Sequence, residues 1–300
     1  MKPMEVIDLV NRGSTVSQDV ADRATAAMET GQVLFLPHYQ FTVSDSDKSV
    51  FSPAILSKHA KNVSYKPATK RLAGIRITEA NRLLLEQMMQ RFADFAQELV
   101  IKLLPAYRDG LTRVRASFRP IEIEGRESSW RKDDSRLHVD AFPSSPTQGR
   151  RILRIFSNVN PEGRGRVWRI GEPFEQTAKR FLPSIKSPLP FSSALLHLLH
   201  ITKVRRTAYD YYMLSLHDRM KADERYQAKV EKFEFEFPAG STWLAFSDQV
   251  THAAVRGQHQ LEQTFLVDLD RLRDEGRSPL RVLERLVGRK LSPVQARTTG

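Results

Sequence analysis

Apolar positions change period several times along the chain, and each change marks an element. A helical pattern starts near Ser14 to Ser17 and stops at Gly31, and the apolar run Val33 to Leu36 that follows predicts a short strand. The stretch from Asp45 to Arg71 is polar without a clear period and reads as a loop-rich excursion. Thr78 caps a long helix from Glu79 to about Leu104, whose stripe of Leu83, Leu84, Met88, Phe92, Phe95, Leu99 and Leu103 ends at Pro105. From about Leu111 to Ile170 short strands alternate with turns at Gly125, Pro143, Gly149 and Gly163 to Gly165. A helical block from about Pro173 to Val230 follows. Phe233, Phe235 and Phe237 then alternate with Glu234 and Glu236 as in a half-buried strand, and "STWLAFSD" and "EQTFLVDLD" predict two more. Ser278 caps a basic amphipathic tail helix with Pro279 in its first position.

The pattern predicts one domain over residues 1–300, with a β core at about 111–170 and 231–270, a helical insertion at about 173–230 and a C-terminal helix at about 278–290. No internal repeat and no long Pro/Gly/Ser-rich linker interrupts it. A composition of 40% hydrophobic and 27% charged residues suits a globular chain able to bury a core. With no cysteine, disulfides, zinc-cysteine sites, iron-sulfur clusters and thiol nucleophiles are excluded, so any metal must be held by His, Asp or Glu. The first residues carry only a short apolar patch broken by Asp8, which predicts neither a signal peptide nor a membrane span, hence a cytoplasmic protein. The formal charge of +12 points to an anionic partner, or to a basic surface serving solubility. Between Arg113 and Arg169 thirteen Lys/Arg face seven Asp/Glu, so half the excess lies around one segment.

That segment contains "RLHVDAFPSSP", Arg136 to Pro146. On a strand, His138 and Asp140 would point to the same face, with Phe142 next in line. His252 in "SDQVTHAAV" lies 112 residues beyond Asp140 (252 − 140), between two predicted strands. An HxD pair with a distant His is the facial triad of non-haem Fe(II) oxygenases, which leaves three positions for a bidentate co-substrate and O2. One carboxylate and two neutral imidazoles leave one positive charge on the site, which suits an anionic co-substrate such as 2-oxoglutarate. HxD alone is a weak signal among eight histidines, and three surface polar residues would look the same. The order of strands raises it: this is the layout of an α+β protein with a double-stranded β-helix, a jelly-roll or cupin-like core with flanking helices. Among the other histidines, His197 and His200 share a helix face without a carboxylate, His38, His59 and His217 stand alone, and His259 falls in a loop.

A 2-oxoglutarate enzyme needs a base for the distal carboxylate, and a guanidinium fixes both charge and orientation. Arg154 sits amid Ile152, Leu153, Ile155 and Phe156, where a buried strand accepts it only with a partner. That partner is either the co-substrate or an internal ion pair. Arg119 and Arg256 are rival candidates, and Asn158 shares the face of Arg154.

These segments resemble the Kdo hydroxylases, Fe(II)/2-oxoglutarate-dependent dioxygenases acting on the 3-deoxy-D-manno-oct-2-ulosonic acid sugar of lipopolysaccharide. The resemblance runs through "METGQVLFLP", "SWRKDDSRLHVDAFPSSPTQGRRILRIFSNVNP", "GRVWRIGEPFE" and "GSTWLAFSDQVTHAAVRGQHQLEQTFLV". It implies hydroxylation at C3 of Kdo, giving Ko, on a lipid A precursor at the cytoplasmic face of the inner membrane. It also implies iron ligation by His138, Asp140 and His252 and a 2-oxoglutarate role for Arg154.

Kdo carries a carboxylate and lipid A carries phosphates, so Arg164, Arg166 and Arg169 become candidates for substrate binding, against an exposed basic hairpin. The stretch Leu189 to Ile201, followed by Lys203, Arg205 and Arg206, fits either a peripheral contact with the anionic inner-membrane surface or plain core. Triad and co-substrate leave open an oxygenase acting on a protein side chain or another anionic sugar, or a jelly-roll binding protein with a dead site. A basic nucleic-acid-binding protein is the remaining alternative, but no helix-turn-helix, zinc knuckle or aromatic-basic motif supports specific nucleic acid recognition.

Overall fold

The computed structural model describes residues 2–10, 12–58, 60–188, 202 and 204–292. Strand formation follows the β-branched and aromatic runs. The large sheet contains β1 (Met4–Val6), β2 (Val33–Leu36), β3 (Val63–Lys66), β4 (Arg71–Ala73), β5 (Leu111–Arg119), β6 (Arg151–Asn158), β9 (Thr242–Phe246) and β11 (Gln260–Val267) in the order β1-β2-β9-β6-β11-β5-β3-β4. The small sheet is β10-β7-β8, with β7 at Arg166–Ile170, β8 at Phe233–Phe237 and β10 at His252–Arg256. Every pairing is antiparallel except β1 with β2, which lets one face of each strand pack inward and the other outward.

An aromatic layer joins the two sheets. Trp243 of β9 stacks on Phe237 of β8 at 4.1 Å and on Phe156 of β6 at 5.4 Å, while Trp168 of β7 meets Phe156 edge-on at 4.8 Å. Offset and edge contacts of this kind suit the ring quadrupoles and add to the area buried. Such a closed, two-sheet core with flanking helices is the α+β jelly-roll arrangement that the strand order predicts.

Helices cover both outer faces. The outer face of the large sheet packs on α1 (Gln18–Glu29) and α3 (Glu79–Leu103), through Met28, Met88, Phe92, Leu99 and Leu103 against Ile155, Leu244 and Phe265. Ser17 and Thr78 cap these helices by accepting from the amides of Val20 and Asn81. Leu83, assigned to the apolar stripe, is 56% exposed instead, because the stripe begins at Leu84 and Leu85. The small sheet is backed by α4 (Phe174–Phe181), α5 (Ala208–Ala222) and α7 (Pro279–Val287), which bury Phe174, Tyr209, Leu216 and Leu283 with Leu137, Val139 and Ala253. A short α6 (Glu224–Lys229) follows α5. The 45–71 region holds more order than its polarity suggests: α2 (Asp45–Lys48) and strands β3 and β4, anchored by buried Val63, Tyr65 and Leu72, extend the edge of the large sheet. The membrane candidate Leu189–Ile201, with His197 and His200, and Lys203 lie outside the described residues, as does His59.

Candidate metal centre and arginine cluster

His138 and His252 are each other's backbone partners. The amide of His138 donates to the carbonyl of His252 at 3.0 Å and the reverse bond is 2.9 Å, a lone antiparallel bridge between the 136–140 segment and the start of β10. The HxD stretch is therefore no full strand, but that one bridge supplies the pleat. Asp140 is held two residues on, its amide donating to the carbonyl of Ser247 at 2.8 Å. Alternation then puts His138 and Asp140 on one face, Nε2 to Oδ1 3.7 Å apart, and one ligand atom of each of His138, Asp140 and His252 lies within 4.8 Å of the others.

The surroundings fix which atoms face inward. Nδ1 of His138 donates to the Arg136 carbonyl and Nδ1 of His252 to the Val250 carbonyl, both at 2.8 Å, so each Nε2 lone pair is free to bind a metal. Trp168 stacks on the His252 ring at 5.0 Å, and His217 of α5 meets the His138 ring edge-on at 5.4 Å, with its own Nδ1 2.9 Å from Asp218. His217 thus does not stand alone. Burial lowers the pKa of His138, reinforced by the nearby His252, and burial likewise lowers that of His252, so both rings are neutral at ordinary pH. Burial opposes ionisation of Asp140, but the Arg154 guanidinium outweighs it and holds the carboxyl below its usual range. Two neutral nitrogens and one anionic oxygen gathered within 4.8 Å are the donor set that suits a divalent iron with open positions.

The inner face of the large sheet carries the arginines. Arg154 of β6 is buried, with Nε 3.1 Å from Asp140 Oδ2 and Nη1 3.4 Å from Glu262 Oε1, so both an internal ion pair and proximity to the metal ligands hold. Arg119 of β5 reaches the other oxygen of Glu262 at 3.4 Å and Asp134 at 3.2 Å. Arg166 of β7 is buried facing the same interior. It donates to the Gly257 carbonyl at 2.7 Å, and burial followed by repulsion from Arg119 pushes its pKa down to about 9.

Four other candidates are not brought to this centre. Arg256 is exposed and pairs with Glu236 at 3.0 Å, because four residues along β10 carry it to the sheet's rim. Arg164 is exposed in the turn before β7 and pairs with Glu162. Arg169 alternates with the inward-facing Trp168 and Ile170, so it points out and pairs with Glu234 at 2.8 Å. The Asn158 amide group donates to the carbonyls of Arg164 and Phe237 and accepts from the Asn160 amide, which commits it to holding the β6–β7 turn. His259 lies in the loop between β10 and β11, as expected, and is buried there on Phe51 and Phe118.

Sequence reasoning missed Glu262, Arg115, Trp168 and Lys221. Glu262 gave no such signal as Arg154 did, since in "QLEQTFLV" it stands among Gln260, Gln263 and Thr264 and reads as the polar face of a strand. Lys221, one turn beyond His217 on α5, is buried with its ammonium donating to the Arg131 carbonyl at 3.1 Å.

Fold and site together define a jelly-roll protein with a buried His-Asp-His cluster able to hold a metal ion. Residues 11–290 match the family described as 3-deoxy-D-manno-oct-2-ulosonic acid (Kdo) hydroxylase, and the chain belongs to that family. It is similar to the Kdo hydroxylase KdoO, a non-haem Fe(II) α-ketoglutarate-dependent dioxygenase. The KdoO complex with cobalt(II) is 43% identical, with a TM-score of 0.95 over 98% of this chain and 99% of that one. The KdoO complex with α-ketoglutarate and Fe(III) is 42% identical over the same shares, with a TM-score of 0.94, and the apo form gives 43% and 0.95. No curated protein sequence matches the chain.

Proposed function

We propose that the chain hydroxylates Kdo as an Fe(II)- and 2-oxoglutarate-dependent dioxygenase, at C3 to give Ko, on a Kdo-bearing lipid A precursor at the cytoplasmic face of the inner membrane. The observation that carries this reading is the His138, Asp140 and His252 cluster with both Nε2 atoms turned inward, in a chain of the Kdo hydroxylase family. The whole chain acts as one catalytic domain in this reading.

His138, Asp140 and His252 would hold the iron, which supplies the O2 chemistry coupled to oxidation of 2-oxoglutarate to succinate and CO2. The backbone bridge between the histidines sets the spacing of the nitrogens before any metal arrives. Arg154 offers its guanidinium for 2-oxoglutarate next to Asp140, and Glu262 keeps that guanidinium in place. Arg166 and Arg119 add positive potential that draws an anionic sugar inward. No side chain has to act as a general base, since no proton leaves the substrate carbon as an acid.

Purified protein given Fe(II), 2-oxoglutarate, O2 and a Kdo-lipid A acceptor is expected to release succinate and add the mass of one oxygen atom to Kdo. His138→Ala is expected to do neither. Succinate release stimulated by peptides but not by Kdo-lipid would overturn the substrate assignment.

A further inference from the structure

The arginine cluster contains one guanidinium that the roles above do not use. Arg115 of β5 stands opposite Thr264 of β11, which stands opposite Arg154 of β6, so the three form one row on the inner face of the sheet. Arg115 and Arg154 both approach the Phe142 ring, each 5.7 Å from its centroid, and so flank a residue two positions past Asp140.

Their environments differ. Arg154 is buried and paired with Asp140 and Glu262, and Arg119 is paired with Asp134 and Glu262. Arg115 is exposed, and among the described residues it has no carboxylate ion-pair partner. It is surrounded enough that burial, and next Arg154, lower its pKa, with Glu262 and Asp140 attracting it from beyond ion-pair distance. Its row neighbours Thr264 and Arg154 are buried, so Arg115 is the member of the row whose guanidinium reaches the surface. It presents a charge to whatever enters.

We propose that Arg115 is the receptor for the substrate's carboxylate at the entrance to the metal centre. This rests on the reading of the chain as a Kdo hydroxylase, whose sugar acid carries its carboxylate two bonds from the carbon to be hydroxylated. A receptor for that carboxylate has to stand close to the metal without touching a ligand, and on a different guanidinium from the one serving the co-substrate. Arg115 meets both conditions, and its planar edge can donate two parallel hydrogen bonds to a carboxylate. The distal carboxylate of 2-oxoglutarate has the same chemistry, so the test separates the two.

Co(II)-loaded wild type, Arg115→Gln and Arg115→Lys are titrated calorimetrically with a Kdo oligosaccharide, with its methyl ester, and with 2-oxoglutarate. Wild type is expected to prefer the acid over the ester. Arg115→Gln is expected to lose about 10- to 100-fold in affinity for the acid, little for the ester, and little for 2-oxoglutarate. Arg115→Lys, which keeps the charge and the fold, is expected to retain part of the acid preference. An unchanged acid-to-ester ratio in either variant overturns the proposal, and a loss confined to 2-oxoglutarate reassigns Arg115 to the co-substrate. Wild-type protein that hydroxylates Kdo while the variants keep the ratio refutes the receptor alone; wild type inactive on Kdo refutes the underlying reading.

Discussion

Glu262 shows how much one buried carboxylate governs. It lies on a central strand at 2% exposure, each oxygen facing a different arginine. Burial opposes its ionisation, but Arg154, Arg119 and Arg115 hold its pKa below the usual carboxylate value. Because the folded-state pKa is depressed, its contribution to stability is complete above the ordinary range near 4.5 and fades as pH falls below it. Glu262→Gln keeps the shape but leaves two guanidinia undercompensated, and is expected to cost about 3–5 kcal/mol at neutral pH. Urea melts between pH 3 and 7 should show a shallower acid limb in the variant than in wild type. Arg154 was legible in the sequence because an arginine inside "RILRIFSN" demands a reason. Arg115 was not, since in "LTRVRASFR" it looks like the solvent side of an alternating strand. Only the register across β11 shows that this side faces the metal centre.

At the scale of elements, the turn between β9 and β10 carries more than its length suggests. Ser247 anchors Asp140, Val250 orients the His252 ring, and Asp248 between them is braced by Arg151. Arg151 is 1% exposed, stacks 3.8 Å over Phe246, and donates to Asp248 at 2.9 and 3.3 Å and to Gln249 at 2.6 Å. Burial raises the Asp248 pKa even with Arg151 attached, so the pair is held by geometry against a desolvation cost. Asp248→Ala is expected to destabilise the fold by about 3–5 kcal/mol by stranding a buried guanidinium, and to weaken Co(II) binding as the turn loosens. Converting Arg151 to Met in the same chain should restore much of the stability but less of the metal affinity, as read by denaturation and calorimetry. The strands either side of this turn were plain from their apolar runs. Its role was hidden, because "SDQVT" reads as an ordinary polar turn until Arg151, some hundred residues earlier, is brought beside it.

For the whole molecule, where the net charge of +12 can act depends on which arginines are already paired. Arg164, Arg169 and Arg256 at the surface are each matched by a neighbouring carboxylate, while Arg154 and Arg166 are buried. Spacing located the two strand blocks and the triad, since those depend on local period and on residue type. It could not sort inward from outward arginines, which depends on which strands pair. The triad also ties two chain segments more than a hundred residues apart together, so a bound metal should act as a cross-link between them. At a hundredfold excess over its dissociation constant, Co(II) should stabilise the fold by about 2.7 kcal/mol and raise Tm by several degrees. Thermal unfolding followed by circular dichroism should show that rise in wild type and none in His138→Ala.

The bridge between His138 and His252 separates where the ligands stand from what they are. Its two hydrogen bonds use only main-chain atoms, so any residue at these positions other than proline could keep the same spacing between the two segments. Side-chain chemistry at the two positions is therefore free to vary over a fixed scaffold. A lineage could exchange one imidazole for a carboxylate, and with it the preferred metal, without first reinventing the fold.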